Sequence, residues 1–453
     1  MHIKKILKKM TPIFLLDFYH YLLAFISAVV FWFPSRKLVV IGVTGTSGKS
    51  TTVDFITRIL EEAGNKVVSN SSVRFKVGDK EWPNNLKMGM PGRFFMQKLL
   101  RTGLKSKCNY AVLEVTSEGI KQYRHKFINF NTAVFTNLSP EHIESHGGFE
   151  NYRNEKLKLF KVAKNIHIIN ADDENSKYFL DIPAKKTINF GADYAYKMNG
   201  RQLHKHKEHQ KNKESYSSIS HDNRVIAEGI SRNNFWINGV QFHLNLLGNF
   251  NVYNALAAIS VGLSEGISLE ICKKALEKVS QIPGRMEVIV KEPFLVVVDY
   301  AHTPDQLEQV YKSLNGKPLI CVLGSCGGGR DKWKRPVLGK IASQYCSQII
   351  ITNEDPYDEN PLSIMDEIAS GIQHFTRPNF TDKNLGGQAP NTQHLILDRR
   401  GAIKKAITLA KPGATVIITG KGSELWMCVE NGKKIPWDDR QIVREELKLK
   451  KIT

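Results

Sequence analysis

Cysteine is sparse in this chain of 453 residues: six are present, at 108, 272, 321, 326, 346 and 428, and none forms a CxxC pair. In a chain this long that excludes a disulfide framework, gives little support to a Cys/His metal site, and points to a reducing interior. His204, His206 and His209 stand in a Lys-rich stretch and read as a solvated loop rather than ligands. No internal repeat is present. Glycine (33) and proline (17) are at ordinary levels, which excludes collagen-like and disordered chains. Hydrophobic residues make up 42%, and the composition excludes a multi-span membrane protein. Acidic residues are the scarcer charge, 44 against 64 basic, leaving +20. That balance suits an anionic ligand, nucleic acid or an anionic membrane surface, or reflects a generally basic surface, and it says nothing of fold. No recognisable nucleic-acid module accompanies it.

One long apolar run exists, Ile13 to Phe33, preceded by Lys4, Lys5, Lys8 and Lys9. As a helix it would measure about 30 Å. Lysines ahead of a simple span would stay inside and send the rest of the chain to the ATP-poor side. Asp17, Tyr19, His20 and Tyr21 interrupt the run, and no small-residue cleavage site ends it, so a signal peptide is not expected. The expectation is a helix on a membrane surface, or one docked on the protein itself.

From Leu38 onward short β-branched runs alternate with helical stretches: 38–43, 111–114, 132–137, 166–170, 295–299, 319–324, 349–353 and 415–420. Continuous apolar strands spaced by helices predict an α/β fold with parallel sheets covered on both faces. Thr303, Pro304 and Gly316 punctuate one such helix. Residues 192–245 are polar and basic, an irregular or β-rich excursion before a helix beginning near Asn251. The expected division is an apolar N-terminal helix (1–36), a central ATP-binding domain (37–283) and a C-terminal Rossmann-like domain (284–453), with a boundary at Pro283–Gly284. In open α/β sheets ligands bind at the carboxyl ends of strands, where this chain places its Gly and polar clusters.

Val43-Thr44-Gly45-Thr46-Ser47-Gly48-Lys49-Ser50-Thr51 follows a strand and precedes a helical stretch, the setting of a phosphate-binding loop. Glycines let backbone N–H groups approach phosphates at a helix N-terminus. Lys49 would reach the β- and γ-phosphates, and the Ser50 hydroxyl would bind Mg²⁺. Val43 stands where the strict P-loop pattern has its first glycine. The alternative is a Gly-rich turn of no function, and the motif alone does not name a reaction.

TGTSGKST with that displaced glycine resembles the Mur ligase and folylpolyglutamate synthase superfamily. The segments 135–160, 246–258, 283–288, 298–308 and 324–336 follow in the order of the Mur ligases. Within that family the chain is most similar to the ligases that add the third residue of the peptidoglycan stem, over roughly 38–430. The resemblance implies that ATP phosphorylates the terminal carboxylate of UDP-MurNAc-L-Ala-D-Glu and that an amino acid's amine attacks the acyl phosphate. Crowded oxyanions then need Mg²⁺ and Lys49 to neutralise them.

By motif match, Ser50 and Glu114 hold metal, His142 serves a second ion, and Lys156 is the lysine that the family carries as a carbamate, presenting an anionic group to Mg²⁺ as a further metal ligand. Their bland alternatives are a satisfied core histidine and a solvated helix lysine. Thr44, Gly45, Thr46, Gly48, Thr51, Asn137, Asn251, Asn254, Arg285, Asp299 and His302 fall on ATP positions. Thr116, Gln122 and Arg124 match contacts to the UDP-MurNAc-peptide, and Arg330, Asp355, Gly420 and Glu424 match the incoming amino acid's site.

Departures bear on substrate choice. Relatives specific for diaminopimelate carry Asp-Asn-Pro-Arg, whose Arg grips the distal carboxylate; here the stretch is Glu354-Asp355-Pro356-Tyr357, and Ser423 replaces a His. A tyrosine cannot pair bidentately with a carboxylate. Diaminopimelate held otherwise, lysine and another diamino acid all stay open. The resemblance implies an N-terminal uridine-gripping domain, whereas only the apolar segment stands ahead of the loop at 43; the expectation is that the uridine end is bound otherwise or that a lipid-linked substrate is used. The expectation is a cytoplasmic ligase, with contact to the inner membrane face through 13–33. The competing readings are a related ligase for a lipid-linked muropeptide or another carboxylate such as a folate, and a non-catalytic membrane-associated nucleotide-binding protein.

Overall fold

The structure, a computed structural model, describes residues 12–192, 224–231, 233–372 and 392–450. His204, His206 and His209 lie outside them. The chain forms two compact units, one of 12–138 and 153–280, the other of 139–152 and 281 onward.

The first unit is built on a sheet that begins with β1 (Val39–Thr44), β2 (Val67–Asn70), β3 (Arg74–Val77), β4 (Lys80–Pro83), β5 (Tyr110–Glu114) and β6 (Phe130–Phe135). It continues with β7 (Ile166–Asn170), β8 (Lys186–Ala192), β9 (Arg224–Ser231), β10 (Asn234–Ile237) and β11 (Val240–His243). Spatial order is β11-β10-β9-β8-β7-β6-β1-β5-β2-β3-β4. The stretch from β9 through β2 is parallel, and antiparallel hairpin strands finish each side. The central strands are apolar on both faces because helices cover both, so Val40, Ile41, Val112, Ala133 and Val134 are wholly buried. The edge strand β4 is exposed throughout. β1 lies between β5 and β6, where the strand order reverses, so the loop after Thr44 opens at the switch point of the sheet.

Helix α1 (Ile13–Val30) precedes this sheet. It ends where Trp32 and Phe33 take left-handed backbone (φ 59° and 47°) ahead of Pro34, which cannot extend a helix. Ala24, Ser27 and Ala28 are buried on its inner side. Helix α2 (Lys49–Glu62) leaves the loop after β1, and α3 (Arg93–Lys105) packs beside α1. Among the described residues no helix is long and apolar enough to cross a membrane.

The second unit carries β12 (Glu287–Val290), β13 (Leu295–Val298), β14 (Leu319–Leu323), β15 (Gln348–Thr352), β16 (Thr392–Ile396) and β17 (Thr415–Ile418). Their order is β12-β13-β17-β14-β15-β16, parallel from β13 to β16. A separate hairpin pairs β18 (Trp426–Cys428) with β19 (Lys434–Pro436). Val296, Val298, Val322, Ile350 and Ile418 form a core with Ala402 and Ile403 of the helix Arg399–Leu409 and Val443 of the helix Asp439–Leu449. Each fully buried Val or Ile side chain contributes about 1.5–3 kcal/mol. Thr303 caps the helix Pro304–Ser313 by accepting the Gln306 N–H at 3.3 Å, as the sequence punctuation predicts.

Candidate active site

The strongest cluster surrounds residues 44–51. Gly48 has φ 78°, and a Cβ there would stand 2.1 Å from Asn254 Oδ1, so only glycine fits. Having no side chain, it cannot cap the first turn of α2, an arrangement that suits a phosphate at that helix end. Neighbouring strands fix the loop. Ser47 N–H donates to Asn137 Oδ1 (2.8 Å), Thr46 N–H donates to the Asn137 carbonyl (2.9 Å), and the Thr136 hydroxyl donates to the Ser47 carbonyl (2.7 Å). Asn254 donates to Asn251 Oδ1 at 3.0 Å on the adjoining helix Phe250–Ser264.

The Ser50 hydroxyl donates to Glu114 Oε2 at 2.7 Å, from the start of α2 to the end of β5. Ser72 joins them: its hydroxyl is 2.7 Å from that of Ser50, and its N–H donates to the same Glu114 oxygen at 2.9 Å. One carboxylate among hydroxyls is a hard-oxygen donor set that suits Mg²⁺, which keeps several waters and shares phosphate oxygens. Among the described residues no group of three or more His, Cys, Asp and Glu side chains is placed to hold a metal. A cation on Ser50 and Glu114 would therefore complete its shell from water and phosphate.

Two lysines meet on the loop. Lys49 Nζ donates to the carbonyls of Thr46 (2.8 Å) and Gly45 (3.1 Å), while Lys156 Nζ, on a residue 1% exposed, donates to the same Gly45 carbonyl at 2.7 Å. Thr116 caps the short helix Ser117–Lys121 through the Gly119 N–H. Beyond it, Arg124 donates to Gln122 Oε1 (2.8 Å) and to the Met90 carbonyl, and burial lowers its pKa.

A second cluster lies within the other unit. Asp299, immediately after β13, accepts the N–H groups of Met286 and Ala301, each at 2.7 Å. Burial nonetheless raises its pKa, against the opposing charge of Arg285. The Arg285 guanidinium lies 4.4 Å from the ring centre of Tyr300, and His302 Nδ1 donates to the Tyr300 carbonyl at 2.9 Å. Asp355 Oδ1 accepts both Lys421 Nζ (2.8 Å) and the Cys428 N–H (2.7 Å); Lys421 also donates to Glu424 (2.7 Å). Glu354 is buried, accepts the Cys326 thiol at 3.0 Å, and has its pKa raised by burial. Gly420, at φ 103°, leaves no room for a Cβ beside Glu354. Tyr357 lies over Gly328 of the 324–330 loop, with a left-handed φ of 52°.

His142 belongs to this second unit rather than to the loop's own. It has left-handed backbone (φ 57°), and its side chain lies 3.4 Å from Arg330. Asp331 caps the turn that follows, its two oxygens accepting the N–H groups of Ile143 (3.2 Å) and Glu144 (3.0 Å). The Lys332 N–H returns a bond to Glu144 (2.8 Å), and buried Lys334 pairs with buried Glu141 at 3.2 Å.

The structure thus gathers Thr44–Thr51, Glu114, Asn137, Lys156, Asn251 and Asn254 in one unit, with Thr116, Gln122 and Arg124 in a neighbouring segment. It places His142, Arg285, Asp299, His302, Arg330, Asp355, Gly420 and Glu424 in the other. Sequence reasoning missed Ser72, Asp331, Lys334 and Lys421. Asp331 and Lys334 stand inside the 324–336 segment and Lys421 lies between the named Gly420 and Glu424, but Ser72 carries no motif signal.

Comparison with known proteins bears on the family as a whole. Residues 43–262 match the Mur ligase middle domain, and 284–422 match the Mur ligase glutamate ligase domain. The UDP-N-acetylmuramoyl-L-alanyl-D-glutamate–2,6-diaminopimelate ligase of Syntrophomonas wolfei subsp. wolfei is 35% identical over 435 residues, 94% of this chain and 81% of that protein. The UDP-N-acetylmuramyl-tripeptide synthetase of Roseiflexus sp. is 35% identical over 445 residues, with the same coverage of 94% and 81%. A solved structure of a diaminopimelate ligase of the first kind, 27% identical, superposes with a TM-score of 0.56 over 92% of this chain and 79% of its own. Two domain matches spanning both units, with long relatives at this identity, establish that the chain belongs to the Mur ligase family.

Proposed function

We infer that the chain is an ATP-dependent amide ligase of peptidoglycan synthesis, adding the third amino acid to UDP-MurNAc-L-Ala-D-Glu through an acyl phosphate. The observation that carries this is the Ser50–Glu114 contact at 2.7 Å beside the phosphate loop, in a chain whose long relatives bear that activity in their names. In this reading 37–283 handle ATP and 284–453 the amino acid. Residues 44–51 cradle the phosphates, with Asn137, Asn251 and Asn254 holding the loop's shape. Lys49 turns from its carbonyls to the transferring phosphoryl group. Ser50 and Glu114 hold Mg²⁺, which supplies charge neutralisation of the phosphoryl oxygens when bound, and His142 serves a second ion.

Lys156 is read as carried in carbamate form. Two ammonium groups share the Gly45 carbonyl, at 3.1 and 2.7 Å. A carbamate would turn one of those positive charges negative and keep an N–H for that carbonyl. Arg285, Asp299 and His302 complete the ATP positions; Thr116, Gln122 and Arg124 receive the nucleotide-peptide. Arg330, Asp355, Gly420 and Glu424 frame the amino acid, a diamino acid by analogy with the relatives' 2,6-diaminopimelate. The reading puts the enzyme in the cytoplasm, where ATP is, with α1 at the inner membrane face. A lipid-linked muropeptide is the second reading, favoured by the apolar side that α1 shows to solvent.

Product mass spectrometry tests it. Protein, ATP, Mg²⁺, UDP-MurNAc-L-Ala-D-Glu and a pool of amino acids should give a tripeptide whose mass names the added residue. ATP binding without product would turn the reading to a lipid-linked acceptor.

A further inference from the structure

Among the described side chains of α1, every exposed one is apolar or a tyrosine. Phe14, Phe18, Leu22, Phe25 and Val29 recur at helical spacing along one stripe, and Phe14 is 70% exposed. Trp32, just past the helix, is 80% exposed. The opposite side is taken: Ala24, Ser27 and Ala28 are buried, while Tyr21 and Phe25, half-exposed at the margin of the two sides, meet Phe127 at ring distances of 5.1 and 5.4 Å. So α1 is already docked on its own unit by one face and has a second, wholly apolar face left over. Monomeric soluble proteins rarely leave so continuous a patch to water.

The charge around that face says what covers it. The sequence holds Lys4, Lys5, Lys8 and Lys9 ahead of the helix and Arg36 and Lys37 after it, against a single acid, Asp17. Arg36 and Lys37 are exposed. The adjacent α3 has Arg93, Lys98, Arg101 and Lys105 and no acid. A second copy of the chain is a poor occupant, because both ends of α1 are basic and pairing in either direction sets like charges together. An acidic, apolar-cored surface matches on both counts.

We propose that α1 lies flat in the headgroup layer of an anionic phospholipid bilayer, with Phe14, Phe18 and Trp32 entering the acyl boundary and Arg36 and Lys37 on the lipid phosphates. This rests on the membrane-face part of the function read above and names its partner. The helix is also joined to the segment assigned to the nucleotide-peptide. Arg93 contacts His20 at 2.5 Å and donates to the Gln122 carbonyl, and Tyr21 lies 6.2 Å from Tyr123 by ring centres. Docking therefore presents residues 122–127 next to the leaflet.

Co-sedimentation of the full chain with phosphatidylglycerol-containing vesicles, and with pure phosphatidylcholine vesicles, tests the proposal. Binding should favour the anionic vesicles, by about fivefold for each basic residue at the surface, and weaken as salt rises. Replacing Phe14→Ser, Phe18→Ser and Trp32→Ser together should cost about tenfold or more in binding and leave tripeptide formation from soluble substrate unchanged, which also reports that the variant is folded. Equal failure to sediment with either vesicle overturns the proposal, as does a concentration-dependent dimer that the triple substitution dissolves. Vesicle binding by a chain that binds ATP but forms no product from the soluble nucleotide leaves the docking standing and removes the soluble acceptor from the ligase reading instead.

Discussion

Lys49 and Lys156 donate to one carbonyl oxygen, that of Gly45, and at this scale the sequence was most informative. Both lysines, Ser50 and Glu114 were named from motif positions alone, and Ser50 and Glu114 lie in contact. Lys156→Ala should lower turnover on the order of a hundredfold or more, with partial recovery when a short carboxylic acid is supplied in solution. Activity close to wild type without the acid would remove the carbamate from the scheme. Tyr357 marks the departure in the acceptor pocket. Tyr357→Arg should raise the kcat/KM preference for diaminopimelate over lysine by roughly 10- to 100-fold, the worth of a charge-assisted bidentate pair. Unaltered selectivity would place acid recognition on another residue. Ser72 was not legible, because its role depends on the close of β2 bringing it to Glu114 and not on any local pattern.

Elements were legible in proportion to their burial. All eight apolar runs are strands, since a strand covered on both faces must be continuously hydrophobic. Strands β9 to β11 fall in the excursion read as irregular or β-rich, but the hairpin on the other side of the sheet escaped notice: β4, Lys80–Pro83, is exposed at every residue and has no apolar pattern to read. The four-residue helix Ile143–His146 was equally silent, because its cap comes from Asp331, far along the chain. Asp331→Ala should cost about 1 kcal/mol, the usual value of an N-cap. Its larger effect should fall on kcat and on the Mg²⁺ concentration needed for half-maximal rate, because His142 adjoins the capped turn. A variant with a lowered melting temperature and unchanged Mg²⁺ dependence would make Asp331 a structural residue only.

Across the molecule, stability of the second unit depends on a buried ion pair. Arg399, fully enclosed, donates to both Asp439 oxygens (2.9 and 2.7 Å) and to the carbonyls of Asn353 and Thr419, just beyond β15 and β17. Arg399→Met would leave the buried Asp439 carboxylate with the Trp437 indole N–H (2.8 Å) but without its countercharge, a loss of about 3–5 kcal/mol. At about 2–4 °C per kcal/mol for a unit of this size, the melting temperature should fall by roughly 6–20 °C. Adding Asp439→Leu should recover much of that loss; a double variant no better than the single one would show that the pair is not the cause. The α/β class and the phosphate loop were readable from the chain, whereas the partition of residues between units was not, because it depends on contacts between distant segments. Among the described residues the chain passes from one unit to the other three times, after Leu138, Tyr152 and Ser280. Severing it at the last crossing would therefore yield no pair of self-sufficient modules. The N-terminal fragment would keep 139–152 without Asp331 and Lys334, and the C-terminal fragment would lose the turn that those residues hold. Any chimera made with a relative must move that fourteen-residue insertion together with the C-terminal half.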